Sequence, residues 1–131
     1  MAMASGLYVV TFEGSMGTEN LTVDMDLSTN KVILVTDTHT PDFQTDNDYN
    51  DIDNEVAAGG GYTQNSKTVG GTPTYGWAST NRLKYTWSAA VVWSSSTITA
   101  RGMIVTTSVA TCSEGKSGGK LCCSAIDLNA S

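Results

Sequence analysis

The sequence predicts an all-β domain: a single β-sandwich or barrel-like unit of about seven to nine short strands with one short helical turn. Three observations point there. Thr, Val, Ser and Gly are abundant, while Leu, Glu and Lys, the strong helix formers, are scarce. Several short runs are either alternately apolar or continuously β-branched, and turn residues separate them. The 13 glycines far outnumber the two prolines, as a chain with many tight turns requires. At 131 residues the chain is one domain, residues 1–131, large enough to bury a core without disulfides or metal.

Met1 to Gly6 reads as a flexible tail. Leu7 to Phe12 reads as the first strand. Leu21, Val23, Met25 and Leu27 alternate with polar residues, the pattern of a half-buried strand. Lys31 to Asp37 is apolar without alternation at Val32, Ile33, Leu34 and Val35. It is predicted to be central and buried on both faces. Pro41 ends pairing there. The acidic segment Asp42–Asn50 follows. Tyr49, Ile52 and Val56 then fall on one face of a helix of about two turns, capped by Thr45 or Asp46. Gly59, Gly60 and Gly61 stop it.

Beyond Tyr62, weak strands are expected at Lys67–Val69 and Thr74–Trp77, with a turn at Gly70–Pro73. Arg82 to Trp87 alternates well. Trp93–Ser96 is a turn, Thr97–Ala100 begins a strand, and Arg101–Gly102 marks a bulge. Met103 to Thr106 is a second central strand, Thr111 to Gly119 an exposed loop, and Lys120 to Leu128 the last strand.

Composition narrows function. Net charge is −6 and the seven basic residues are scattered, which argues against nucleic acid. No run approaches the ~20 apolar residues of a membrane span, and Met1–Ser5 lacks the marks of a secretory signal. Assembly in a reducing cytoplasm is expected, with Cys112, Cys122 and Cys123 as free, packed thiols and a Cys112–Cys122 pair across a hairpin as the alternative. No metal site is expected from these cysteines and the single His39. His39, between two threonines, reads as a surface residue. No Gly-x-Ser-x-Gly elbow is present and no carboxylate stands apart as a raised-pKa acid, so the chain is expected not to be an enzyme.

Asp46, Asp48 and Asn50 match the opening ligands of a calcium loop. The match then fails, because Asp51 stands where glycine belongs and Ala57 where the closing Glu belongs. A different calcium site on Asp42, Asp46, Asp48 and Asp51 is the remaining metal option; the preferred expectation is no cofactor. Tyr75, Trp77, Tyr85, Trp87 and Trp93 suit core or subunit packing, with a sugar platform as the alternative.

Asp26–Thr36, Thr40–Asp42, Asp53–Val56, Gly61–Thr63, Trp93–Arg101 and Leu121–Leu128, in that order, resemble the segments of a family of small tailed-bacteriophage virion proteins. The resemblance implies a structural protein of the virion, with a capsid decoration (cement) protein preferred. Such a protein binds the assembled shell, assembles in the host cytoplasm and ends on the capsid surface. Its partners would be the major capsid protein and further copies of itself, a trimer favoured. Asp42, Asp46, Asp48, Asp51, Phe43 and Tyr49 are the candidate contact residues. The alternative is a tail or fibre module that binds a receptor or glycan.

Overall fold

The computed structural model describes residues 3–16, 23–46, 48–79, 82–108 and 120–128. They form a β-rich fold with six strands and little helix. Strands β1 (Gly6–Leu7), β2 (Lys31–Val35), β5 (Gly102–Ser108) and β6 (Lys120–Asp127) make one antiparallel sheet in the order β1-β6-β5-β2. Strands β3 (Pro73–Ser79) and β4 (Arg82–Trp87) make a separate hairpin. Among the described residues these strands close neither a barrel nor a sandwich of seven to nine strands.

Strand β2 is buried on both faces, as its unbroken apolar run requires. Ile33 and Val35 pack on one face with Ile104, Met3 and Tyr8, against Phe43, Tyr49 and Ile52. Val32 packs on the other with Val69 and Val105, against Tyr85, Trp87, Val91 and Trp93. Leu34 extends that second face with Val56 and Tyr62, against Trp93, Ile98 and Ala100. Neighbouring residues of one strand face opposite layers, so the sheet is covered on both sides.

By strand order β2 is an edge, and an open edge invites foreign pairing. Here the chain covers its own edge. Val56 N–H donates to Leu34 O, Thr36 N–H to Asn54 O, Val32 N–H to Lys67 O and Val69 N–H to Asn30 O. The Lys67–Val69 run is thus not a strand but one bridge, Thr68 opposite Lys31.

Three further expectations are corrected. Leu7–Phe12 is not a strand: β1 stops at Leu7, and Val9–Met16 forms helix α1. The Phe43 carbonyl accepts from Val9 N–H at 2.8 Å and starts the helix, and Tyr8 just before it and Thr11 within it are fully buried. Tertiary anchoring overrides a β-branched sequence here. The N-terminal tail is not loose from Met3 onward. Met3 is buried against Gly102, where a Cβ would sit 2.7 Å from the Met3 side chain, and Gly6 pairs with Ala125.

The third correction concerns Val23–Leu27, which turns instead of extending. Asn30 Nδ2 donates to the carbonyls of Asp24 and Met25 at 3.0 and 3.1 Å, and Thr107 Oγ1 lies 2.9 Å from Asp24 O. Those carbonyls are therefore not offered to a neighbouring strand. Leu21, the first apolar position of that pattern, lies outside the described residues, as does the Thr111–Gly119 loop with Cys112.

Smaller shifts follow. Thr97–Ala100 is irregular, and the strand begins at Gly102. The bulge lies where Val105 pairs with Ser124 and Thr106 with Cys122, not at Arg101–Gly102. It leaves Cys123 as the extra residue of β6.

Candidate functional site

The acidic segment lies over the Ile33–Ile104 face of the sheet, and its aspartates are mostly engaged with backbone. Asp42 Oδ1 accepts from Gln44 N–H at 3.0 Å and Thr45 N–H at 3.2 Å. Donation from Gln44 N–H and from the Thr45 side chain holds the Asp42 carboxyl below its ordinary pKa. Asp46 Oδ2 accepts from Asp42 N–H at 2.8 Å. Partial burial raises the Asp46 pKa, and the nearby charges of Asp42 and Asp51 add to the rise.

Tyr49–Asp51 is a single 3-10 turn, not the two-turn helix expected from Tyr49, Ile52 and Val56. Its cap is Asp48, not Thr45 or Asp46. Asp48 Oδ1 accepts from Asn50 N–H at 2.7 Å, and Asp51 Oδ2 accepts from Asp48 N–H at 3.1 Å. This reciprocal capping box fixes the turn. Val56 has left the turn and lies beside Leu34.

Asp42 and Asp51 are exposed, and Asp46 and Asp48 are half-buried. The other two candidate contacts, Phe43 and Tyr49, are turned to the core. The Phe43 ring packs tilted against the Tyr8 ring, with centroids 5.2 Å apart. The Tyr49 hydroxyl donates to Glu55 Oε2. The aspartates therefore form the outer surface, and the two rings anchor it. Among the described residues, no three Asp, Glu, His or Cys side chains are grouped as metal ligands.

Two fixing points were invisible in the sequence. His39 is fully buried, not a surface residue, and its Nδ1 bonds Asp53 Oδ1. It sits in a turn closed by His39 N–H to Thr36 O at 3.3 Å. A histidine between threonines carries no periodic sign of burial.

The second point is Glu55, at the outer edge of β2 opposite Val35. Besides Tyr49 it accepts from the Tyr62 hydroxyl at 2.8 Å and from Asn65 N–H at 2.9 Å. The Tyr62 oxygen in turn accepts from the buried Leu34 N–H at 3.0 Å. Tyr49 belongs to the acidic layer and Tyr62 to the opposite one, so Glu55 ties the two layers together around the edge. Burial, then Glu55, pushes the Tyr49 pKa up to about 12; burial chiefly raises that of Tyr62 as well.

Tyr62 reaches this position through a two-residue turn. Gly60 and Gly61 have φ of 55° and 86°, and Gly59 and Tyr62 exchange two backbone hydrogen bonds of 2.9 Å. Positive φ at both central positions suits glycine.

The outer layer on the other face is the β3–β4 hairpin. Its register sets Pro73 opposite Trp87, Tyr75 opposite Tyr85 and Trp77 opposite Leu83, and Tyr85 and Trp87 lie on one face of β4. Tyr85 and Trp87 pack that face against Val32, Val69 and Val105. On the outward face Thr74, Lys84 and Thr86 are exposed, and the two threonine hydroxyls lie 2.9 Å apart.

No helix of the described residues is long and apolar enough to cross a membrane. Comparison with known protein families, with characterised proteins and with solved structures finds no match to this chain.

Proposed function

We propose that this chain is a non-enzymatic structural protein of a tailed-phage virion, most simply a capsid decoration protein. It would bind the assembled shell at the capsid surface, contact the major capsid protein and hold neighbouring subunits together. Binding only the assembled state stabilises that state by mass action.

One observation carries the reading: a preorganised acidic surface. Asp42 and Asp51 are exposed on a segment whose backbone is fixed by its own carboxylates, by Phe43 and Tyr49 beneath it, and by the His39–Asp53 bond. A surface ordered before binding loses less conformational entropy on docking. The ordered resemblance of Asp26–Leu128 to phage virion proteins supplies the context.

The test is to add purified chain to shells that lack it, then measure co-sedimentation and the temperature at which the shells rupture. Binding with a raised rupture temperature is expected. A chain that neither co-sediments nor protects the shells overturns the reading. Glycan-array binding lost in Trp77→Ala would replace it with the tail or fibre module.

A further inference from the structure

The two coverings of the sheet differ in charge. From Asp37 to Asp53 the sequence holds six aspartates and neither Lys nor Arg; from Val56 to Ala100 it holds Lys67, Arg82 and Lys84 and neither Asp nor Glu. The fold keeps them apart. The first stretch lies over Ile33 and Ile104, the second over Val32, Leu34 and Val105. Each layer thus presents one sign of charge outward, with a sheet between them.

The basic layer has a defined outer face. Lys84 is exposed between Thr86 and, across the hairpin, Thr74 and Gly76; Arg82 stands two positions before Lys84 on the same strand. Lys67, by contrast, lies over the Trp93 ring at 5.9 Å, and Lys31 Nζ donates to Ser66 O at 3.0 Å. Both of those cations have a partner on their own chain, and Lys84 is the exposed cation of the described hairpin face.

We propose that copies of this chain associate front to back, the hairpin face of one copy on the acidic layer of the next. The occupant follows from charge. A contact between two like faces sets aspartates on aspartates or Lys84 on Lys84, which is repulsive. A contact between unlike faces is complementary in any pair of copies. Such a heterologous contact leaves one face free at each end. It closes into a ring, such as a trimer, if the rotation between copies allows, and otherwise grows. The inference rests on the reading of the chain as an assembling structural protein, and names the surfaces its copies would use.

The test uses the full chain alone, so capsid binding plays no part in it. Sedimentation velocity at low salt is expected to show an oligomer. About 1 M salt, where the screening length falls to about 3 Å, is expected to dissociate it. The double variant Arg82→Glu, Lys84→Glu is expected to be monomeric alone, with self-association weakened at least tenfold. Mixed with wild type it should still form a complex, because its acidic layer meets the wild-type hairpin. Asp42→Lys, Asp51→Lys should likewise be monomeric alone and pair with the hairpin variant; because it also removes the Asp42 and Asp51 caps, its melting temperature checks that the fold survives their loss.

Wild type that stays monomeric at low salt overturns the proposal. So does a complex that persists in about 1 M salt and is lost in Val9→Asp, since that would place the contact in the apolar groove of Leu7, Val9, Phe12 and Met16. A hairpin variant that self-associates like wild type overturns it too. Failure to bind shells with self-association intact would remove the decoration role and leave this inference standing.

Discussion

On the acidic face of the sheet, the chain between Pro41 and Asp53 is pinned by hydrogen bonds. On the opposite face, the hairpin and the Val91–Ala100 segment are pinned by aromatic area. The acidic layer turns its carboxylates onto its own N–H groups, at Gln44, Thr45, Asp42, Asn50 and Asp48. The hairpin layer buries the Tyr85 hydroxyl and the Trp87 and Trp93 indole N–H groups with no partner among the described residues. A buried polar group left unpaired costs free energy that the surrounding apolar contact must exceed. A segment with few large apolar residues must therefore be fixed by directed bonds. A segment with several aromatics can be fixed by burial and tolerate unpaired polar tips.

Four measurements break or sharpen that contrast. The largest effect is expected at the sheet itself, which both layers share. Ile104→Ala should cost about 3–4 kcal/mol in denaturant unfolding, because the residue is fully buried. A loss below about 1 kcal/mol would mean that the acidic layer has little apolar footing.

Next is Tyr62→Phe, which removes the acceptor for the buried Leu34 N–H and a donor to Glu55. It should cost about 2 kcal/mol. The third is alkaline pH. Tyr49 ionises at 10.0 when unfolded and at about 12 when folded. The folded state holds its proton more tightly, so the stability it contributes is complete below pH 10 and is lost as pH rises toward about 12. Thermal melts should fall across that window, and tyrosinate absorbance should lag behind that of free tyrosine. A melting temperature flat over it would contradict the partly buried Tyr49–Glu55 bond.

The smallest effect has the opposite sign. Tyr85→Phe deletes an unpaired hydroxyl and keeps the ring, so stability should be unchanged or higher by up to about 1 kcal/mol. A loss as large as that of Tyr62→Phe would erase the contrast between the layers.

Many of the strands were legible in the sequence. The unbroken apolar run of β2, the alternation of β4 and the apolar content of β5 and β6 are period signals that burial imposes directly. The legible parts of the site were its acidity and its confinement between Pro41 and Gly59. Helix α1 was not legible, because a Phe43 carbonyl more than thirty residues away starts it, and its β-branched residues argue for a strand. Val23–Leu27 alternates like a strand, but the side chains of Asn30 and Thr107 take the carbonyls a neighbouring strand would need. His39 and Glu55 escaped for the same reason: a single polar residue buried by partners distant in sequence leaves no local pattern. Phe43 and Tyr49 stood out as aromatics in a polar loop, yet residue type alone does not say whether a ring faces a partner or the core.

The edge of β2 has a consequence for hydrogen exchange. Its outward amides alternate between two kinds of acceptor: Val32 and Thr36 give their protons to the carbonyls of Lys67 and Asn54, and Leu34 gives its proton to a phenol oxygen. The first two are freed when a short piece of backbone lifts. The third is freed when one side chain swings away, without any backbone leaving the edge. Exchange of amides follows the cheapest opening that exposes them. The Leu34 amide therefore keeps time for the Tyr62–Glu55 latch alone, and in Glu55→Gln it should exchange faster while its neighbours at 32 and 36 keep their pace.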